Sequence, residues 1–162
     1  MDLQRLTVHA AFPDCIWVVV EQPPGERYRL DYDPAAQRFT PTTSLSLFYD
    51  RGFSGAYGWV GGLGTPPGEH IDVIPVTRRP LLAGSVVEAY PCGLFRRADG
   101  DHKLVALEAA LHTSVEPPDL HLLPPDDQAE LRRLYPRIDT GEGWFSRDEA
   151  LALLRHGRGH AN

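Results

Sequence analysis

The sequence predicts an α+β fold in which a small closed β-barrel is covered by two C-terminal helices. Segments rich in β-branched and aromatic residues fill the chain up to residue 107, and both helix-like segments follow them. The 15 Gly and 15 Pro residues are spread along the chain, as expected for short strands joined by tight turns. Because 162 residues is the length of one ordinary domain, we expect a single domain over 1–162.

The predicted strands follow from runs of apolar, β-branched residues that stop at turn residues. The first strand, 15–21, ends before Pro23-Pro24-Gly25. The second, 27–32, alternates and can pair with 38–40 across the turn Asp33-Pro34-Ala35. Four further strands are predicted at 56–60, 71–77, 85–96 and 103–107. The segment 85–96 is long enough to bend.

Two helices are predicted after the strands. The first covers 126–135, where apolar side chains recur at near-helical spacing. The second begins at Ser146-Arg-Asp-Glu149, a capping box that precedes a leucine-rich segment. We expect Gly157 to end this helix, and residues 157–162 to form a frayed tail.

Composition excludes several classes of protein. The net charge of −6 argues against a nucleic-acid partner and is compatible with divalent cations. The longest apolar run, 16–20, is too short to span a bilayer, and no signal peptide is recognisable. We therefore expect a cytoplasmic protein that has no membrane partner. Cys15 and Cys92 lack metal-type spacing, so they are expected to be buried thiols.

An ordered set of motifs occupies the middle of the chain. The motifs are Tyr57-Gly-Trp59, Pro67-Gly-Glu-His-Ile-Asp-Val73, Pro80-Leu-Leu-Ala-Gly-Ser-Val86, Pro91-Cys-Gly93 and Asp99-Gly-Asp101-His-Lys103-Leu-Val-Ala106. This set resembles the soluble family I inorganic pyrophosphatases. Their signature, Asp-Gly-Asp-Pro-apolar-Asp-apolar, begins ten residues after the Tyr of a Tyr-Gly-aromatic strand. The resemblance extends to Val18-Val-Val-Glu21, Arg27-Tyr-Arg29, Leu134-Tyr135 and Gly143-Trp144.

The resemblance implies a five-stranded, OB-like closed β-barrel with two C-terminal helices. It also implies hydrolysis of inorganic pyrophosphate to two phosphates by a metal-activated water, with Mg²⁺ as cofactor. Pyrophosphate chemistry needs divalent cations to neutralise phosphate charge, and a few convergent carboxylates can hold Mg²⁺. Since bacterial relatives are hexamers, the resemblance further implies a homo-oligomer.

The resemblance assigns three roles to residues of this chain. The implied metal ligands are Asp72, Asp99, Asp101 and Glu21. The implied catalytic residues are Glu69, in the place of the Asp that holds the attacking water, and Tyr57. The implied substrate-binding residues are Lys103, Tyr135, Arg27 and Arg29. Lys103 is also unusual in itself, because the remaining 15 of the 16 basic residues are all Arg. A compact ammonium can approach a phosphate oxygen in a narrow mouth where a planar guanidinium would clash.

Several positions depart from the family pattern. Pro67 stands where the signature opens with a metal-ligating Asp, and Leu45 and Pro136 stand where the family has basic residues. His70 replaces the proline of the signature, and we expect it to be structural or exposed. As a ligand, its imidazole would shift the metal preference. These departures predict a divergent and slow member of the family. They leave two alternatives open: a non-catalytic binding or assembly protein, and a hydrolase of another phosphoanhydride. The acidic charge disfavours a third, an oligonucleotide-binding barrel.

Overall fold

The structure is a computed structural model that describes the backbone of residues 1–160 and the side chains of residues 1–158. Its strands are β1 (Ile16–Gln22), β2 (Tyr28–Asp33), β3 (Arg38–Leu45), β4 (Tyr57–Val60), β5 (Asp72–Val76), β6 (Val86–Arg96), β7 (Lys103–Glu108) and β8 (Gly143–Ser146). Its α-helices are α1 (Leu47–Asp50), α2 (Pro125–Leu134) and α3 (Arg147–His160). No helix in the described part of the chain is both long and apolar enough to cross a membrane.

Five strands close into a barrel in the order β1-β4-β5-β7-β6, with β6 pairing back to β1. All of these pairs are antiparallel except β5 with β7. The predicted five-stranded closed barrel is confirmed. Strands β2 and β3 form a separate hairpin with Asp33 opposite Arg38, as the alternating pattern predicted. The short strand β8, which the sequence did not predict, extends the sheet beyond β6.

Strand β6 pairs with different strands along its length because it is long and contains a bulge. Its first residues pair with β1 and its last with β8, while β7 runs alongside both parts. The register with β7 shifts between Pro91 and Gly93, which bends the strand as predicted. A Cβ on Gly93 would lie 2.6 Å from Leu120 Cβ and 2.6 Å from the Phe145 carbonyl oxygen. Glycine is therefore required where the bent strand meets its neighbours.

Apolar residues fill the barrel and cover its outer faces. Val18, Val73 and Leu104, from three strands, belong to the cluster inside the barrel, which also includes side chains of α3. Ile74 and Val105, their neighbours in sequence, face outward into a second cluster that α2 covers. Because these strands are buried on both faces, they carry continuous apolar runs rather than alternating ones. Cys15 and Cys92 are buried free thiols, as predicted.

The helices differ from the prediction mainly at their ends. Helix α2 begins at Pro125, a position in the first turn where proline is favourable. The predicted end of the last helix at Gly157 is wrong, because α3 continues to His160. A Cβ on Gly157 would lie 2.6 Å from Ile71 Cδ1, so this glycine allows close packing rather than ending the helix. Of the predicted frayed tail, 157–160 are helical, and 161–162 lie outside the described residues.

Candidate active site

A cleft of about 750 Å³ opens where several barrel strands begin or end. Because β1 and β4 are antiparallel, Gln22 at the end of β1 is paired with Tyr57 at the start of β4. Strands β5 and β7 run parallel, and their first residues, Asp72 and Lys103, are paired. Strand direction and register therefore place acidic, basic and phenolic side chains from distant parts of the sequence at one mouth.

Most of the sequence-predicted site residues line this cleft. They are Glu21, Arg29, Tyr57, Glu69, Asp72, Asp101, Lys103 and Tyr135. Asp99 and Arg27 are not among the lining residues. The guanidinium carbon of Arg27 lies 5.6 Å from the ring centre of Tyr28. Asp99 instead forms an ion pair with Arg97, whose Nη2 lies 3.1 Å from Asp99 Oδ2.

Lys103 occupies the centre of the charged cluster and is only 6% exposed. Its Nζ donates to Asp72 Oδ2, and to Asp101 Oδ2 at 2.9 Å. Burial alone would lower the pKa of Lys103, but the neighbouring carboxylates outweigh it and the pKa lies above its ordinary value. Burial alone would likewise raise the pKa of Asp72, yet contacts with His70 and Lys103 hold it well below its usual range. The ammonium of Lys103 and the carboxylate of Asp72 are therefore both charged at neutral pH.

His70 approaches the other oxygen of the same carboxylate. Its Nε2 lies 3.1 Å from Asp72 Oδ1, and its Nδ1 lies 2.6 Å from the Gly68 carbonyl oxygen. The hydrogen bond with Asp72 raises the pKa of His70 above its ordinary value. We expected this residue to be structural or exposed, but its side chain is 25% exposed and lines the cleft.

Glu21 is a half-buried carboxylate at the edge of the charged cluster. Burial, with a further contribution from the charge of Asp72, raises the pKa of Glu21 to about 7. Among the described residues, no side chain forms an ion pair with this carboxylate. The cleft therefore has acidic oxygen ligands in excess of its fixed positive charge, which suits a hard divalent cation. These residues fit the metal that the resemblance implies.

Two tyrosines supply hydroxyl groups to the cleft. Burial and the charge of Asp72 raise the pKa of Tyr57, so this phenol remains protonated and can donate a hydrogen bond. The Lys103 Nζ lies 5.6 Å from the centre of the Tyr57 ring. Tyr135 stacks on Phe95 with ring centres 4.0 Å apart, which fixes the direction of its hydroxyl.

Two arginines that the sequence analysis did not single out lie beside Tyr135. The guanidinium carbons of Arg51 and Arg97 are 5.7 Å and 6.0 Å from its ring centre. Arg97 also lines the cleft, with Nη1 3.6 Å from Asp101 Oδ2. A signal for Arg97 was present in the sequence, because it lies just before the acidic turn that begins at Asp99.

Three of the departures from the family pattern differ in their positions. Pro67 lines the cleft, near the exposed Glu69. The cleft therefore lacks the carboxylate that the family signature has at this position. Leu45 is 52% exposed and Pro136 is exposed, and neither lines the cleft. Positive charge absent at those two positions is supplied near the cleft by Arg97 and Arg51.

Comparison with known proteins shows the family of this chain. The sequence profile described as inorganic pyrophosphatase matches residues 18–157. The inorganic pyrophosphatase of Haemophilus ducreyi is 28% identical over 169 residues, which cover 93% of this chain and 93% of that protein. That of Vibrio parahaemolyticus is 25% identical over 170 residues, covering 95% of this chain and 94% of that protein.

Solved structures share the fold. The inorganic pyrophosphatase of Neisseria gonorrhoeae superposes with a TM-score of 0.75 at 22% identity, over 100% of this chain and 99% of that chain. That of Thermus thermophilus has a TM-score of 0.72 at 22% identity, over 99% of each chain. The family profile covers most of the sequence, and the barrel agrees in structure. The chain therefore belongs to the inorganic pyrophosphatase family.

Proposed function

We propose that this protein hydrolyses inorganic pyrophosphate to two phosphates and that Mg²⁺ is the activating metal. The observation that carries the proposal is the pairing of the buried Lys103 with Asp72 and Asp101 in a cleft that Glu21 also lines. This combination of carboxylates for a cation and donors for phosphate suits a phosphoanhydride that carries bound metal.

Each group in the cleft has a role in this proposal. Glu21, Asp72 and Asp101 would hold the metal, which when bound neutralises phosphate charge and lowers the pKa of water. The positively charged donors to the phosphates are Lys103, Arg29 and Arg97, and the neutral donors are the hydroxyls of Tyr57 and Tyr135. Glu69 accepts a proton from the attacking water. Asp99 acts only through Arg97, and Arg27 has no part.

We further propose a homo-oligomer of single-domain chains, each covering 1–162, in the cytoplasm. Three large apolar side chains close together in sequence support self-association, because Leu45, Leu47 and Tyr49 are 52%, 48% and 48% exposed. Light scattering coupled to size-exclusion chromatography measures the mass in solution. A monomer at micromolar concentration contradicts this part of the proposal.

The activity is tested by measuring phosphate release from pyrophosphate with and without Mg²⁺. We expect Mg²⁺-dependent release that falls by about 10²–10³ in Asp72→Asn, because one positioned charge at the site is lost. Asp139→Asn, at an exposed position outside the cleft, is the matched control and should retain full activity. Release only from organic phosphoanhydrides contradicts the substrate. No release from any phosphoanhydride favours a binding or assembly protein.

Pro67→Asp tests whether the site lacks one carboxylate. The new side chain would stand at the rim of the cleft, so we expect turnover to rise about tenfold, less than a fully positioned group achieves. The assay is phosphate release at saturating Mg²⁺. Pro117→Asp, at an exposed position outside the cleft lining, is the matched control and should leave turnover unchanged. Unchanged turnover in Pro67→Asp means that this position no longer limits the reaction.

A further inference from the structure

We infer that His70 is a nitrogen ligand for a divalent ion that it shares with Asp72. This ligand would make the position favour a borderline first-row ion, such as Mn²⁺ or Co²⁺, over Mg²⁺. The inference rests on the proposed function and specifies the metal preference of that site. Imidazole suits first-row transition ions, whereas Mg²⁺ prefers oxygen ligands throughout.

The hydrogen bonds of the imidazole indicate which ring nitrogen can bind metal. Nδ1 lies 2.6 Å from the Gly68 carbonyl oxygen. Because a carbonyl oxygen only accepts, Nδ1 carries a hydrogen and donates it. In the neutral ring, the lone pair is then on Nε2, which faces Asp72. Metal-binding histidines commonly have this arrangement, with the other ring nitrogen donating to a backbone carbonyl.

The distance between the two potential ligand atoms also fits a shared ion. Nε2 of His70 lies 3.1 Å from Oδ1 of Asp72. Two ligands at right angles, each about 2.1 Å from an ion, are about 3.0 Å apart. Two acceptor atoms remain this close only when a proton or a cation lies between them. The geometry therefore needs little adjustment to bind a metal ion.

The carboxylate of Asp72 divides its two oxygens between different partners. Lys103 donates to Oδ2, which leaves Oδ1 for the side that His70 occupies. Glu21 lines the same cleft and has no ion pair among the side chains described. An ion at Oδ1 would therefore have the His70 nitrogen and the Asp72 oxygen as its protein ligands, with water completing its shell.

A second histidine–carboxylate pair shows why distance alone does not identify a metal site. His9 Nε2 lies 2.9 Å from Glu88 Oε1, and Cys15 completes a compact group of possible ligands. However, His9 Nδ1 accepts a hydrogen bond from the Ala11 backbone N–H at 3.0 Å. Its hydrogen is therefore on Nε2, which donates to Glu88. This pair is a hydrogen bond, and His9 provides an internal control.

The test is pulsed electron paramagnetic resonance of Mn²⁺ added to protein stripped of metal. We expect the wild-type protein to show coupling to a directly bound ¹⁴N nucleus, which is replaced by ¹⁵N coupling when histidine is ¹⁵N-labelled. His70→Ala should lose this coupling and bind Mn²⁺ about tenfold or more weakly by calorimetry. Its affinity for Mg²⁺ should change by less than about threefold. His9→Ala should behave as the wild type in both measurements.

The labelled wild-type protein gives a result that does not depend on the folding of a variant. Bound Mn²⁺ without nitrogen coupling overturns the inference, as does coupling that persists in His70→Ala. The phosphate-release assay reports separately on the proposed function. Nitrogen coupling without hydrolysis leaves the metal ligand in place and contradicts the enzyme. Hydrolysis without nitrogen coupling supports the enzyme and overturns the assignment of His70 as a metal ligand.

Discussion

At the scale of single residues, charge balance inside the cleft determines what each side chain can do. Lys103 is buried because two carboxylates compensate its charge, and the ammonium in turn helps to keep the pKa of Asp72 low. Glu21 is half-buried in the same cleft and has no ion pair with any side chain that the structure describes. The stability of the metal-free protein should therefore respond differently to the loss of each group.

Replacing Lys103 by Met should destabilise the metal-free protein by about 3 kcal/mol, because it leaves the buried carboxylate of Asp72 without its ammonium partner. A divalent ion at the same carboxylates should reduce this loss. Urea unfolding in EDTA and in excess Mn²⁺ measures both values. Arg5→Met is the matched control, since Arg5 has an exposed side chain whose ion pair with Asp2 lies at the surface. An equal loss with and without Mn²⁺ contradicts a shared site.

Glu21 should make the metal-free protein less stable as the pH rises. Its folded-state pKa is about 7, above the ordinary value of 4.5, so the folded state binds the proton more tightly than the unfolded state. Between pH 4.5 and pH 7 the free energy of unfolding therefore falls as the pH rises. Relative to Glu21→Gln, the wild type should lose about 2–3 kcal/mol across this window.

The measurement is urea unfolding of both proteins at several pH values in EDTA, which removes competing metal. Asp139→Asn, at an exposed position outside the cleft, should show the same pH profile as the wild type. A constant difference between the wild type and Glu21→Gln from pH 4.5 to pH 8 contradicts the prediction. So does a difference of the opposite sign.

At the scale of elements, glycines explain motifs that pattern analysis could only recognise. In Tyr57-Gly-Trp59, a Cβ on Gly58 would lie 1.8 Å from the Val19 carbonyl oxygen, across the β1–β4 pair. The motif is therefore a close approach of two strands that holds Tyr57 at the cleft. The sequence predicted the strand and the motif, but not which neighbouring backbone required the glycine.

Gly58→Ala should destabilise the protein by about 3 kcal/mol, because the new methyl group meets backbone that cannot move without breaking the strand pair. Gly157→Ala is the matched control. Its methyl group meets the end of the Ile71 side chain, and the gain in helix propensity of about 1 kcal/mol offsets that contact. Chemical unfolding measures both. Similar losses for the two variants contradict this account of Gly58.

At the scale of the whole molecule, the site connects parts of the chain that are distant in sequence. Glu21, Asp72 and Asp101 lie at the end of β1, at the start of β5 and just before β7. The unfolded chain does not hold these carboxylates together, so a cation that binds them binds the folded state. Metal binding should therefore stabilise the entire domain.

Mg²⁺ at 100 times its Kd should add about 2.7 kcal/mol to the free energy of unfolding. For a chain of this length, Tm should rise by about 5–10 °C relative to EDTA. Scanning calorimetry measures the shift, and Asp72→Asn should abolish most of it. Asp33→Asn, at the turn of the β2–β3 hairpin, should keep the shift even if its own Tm is lower. An equal shift in all three proteins indicates non-specific binding.

The sequence by itself determined seven of the eight strands, the strand-then-helix order, the β2–β3 hairpin and most of the acidic and phenolic side chains of the cleft. These features follow from local patterns and from motifs that keep their order along the chain. The resemblance they carry also pointed to the correct family and to the five-stranded barrel.

Only the tertiary structure decided which of the candidate residues meet. It placed Arg29 in the cleft and Arg27 outside it, added Arg97, and turned His70 toward Asp72. It also showed that α3 continues beyond Gly157. This glycine allows close packing against Ile71, and the sequence alone does not distinguish such a glycine from one that ends a helix. Side-chain direction depends on strand register, and register is set by packing between segments far apart in sequence. Local pattern contains no information about that packing.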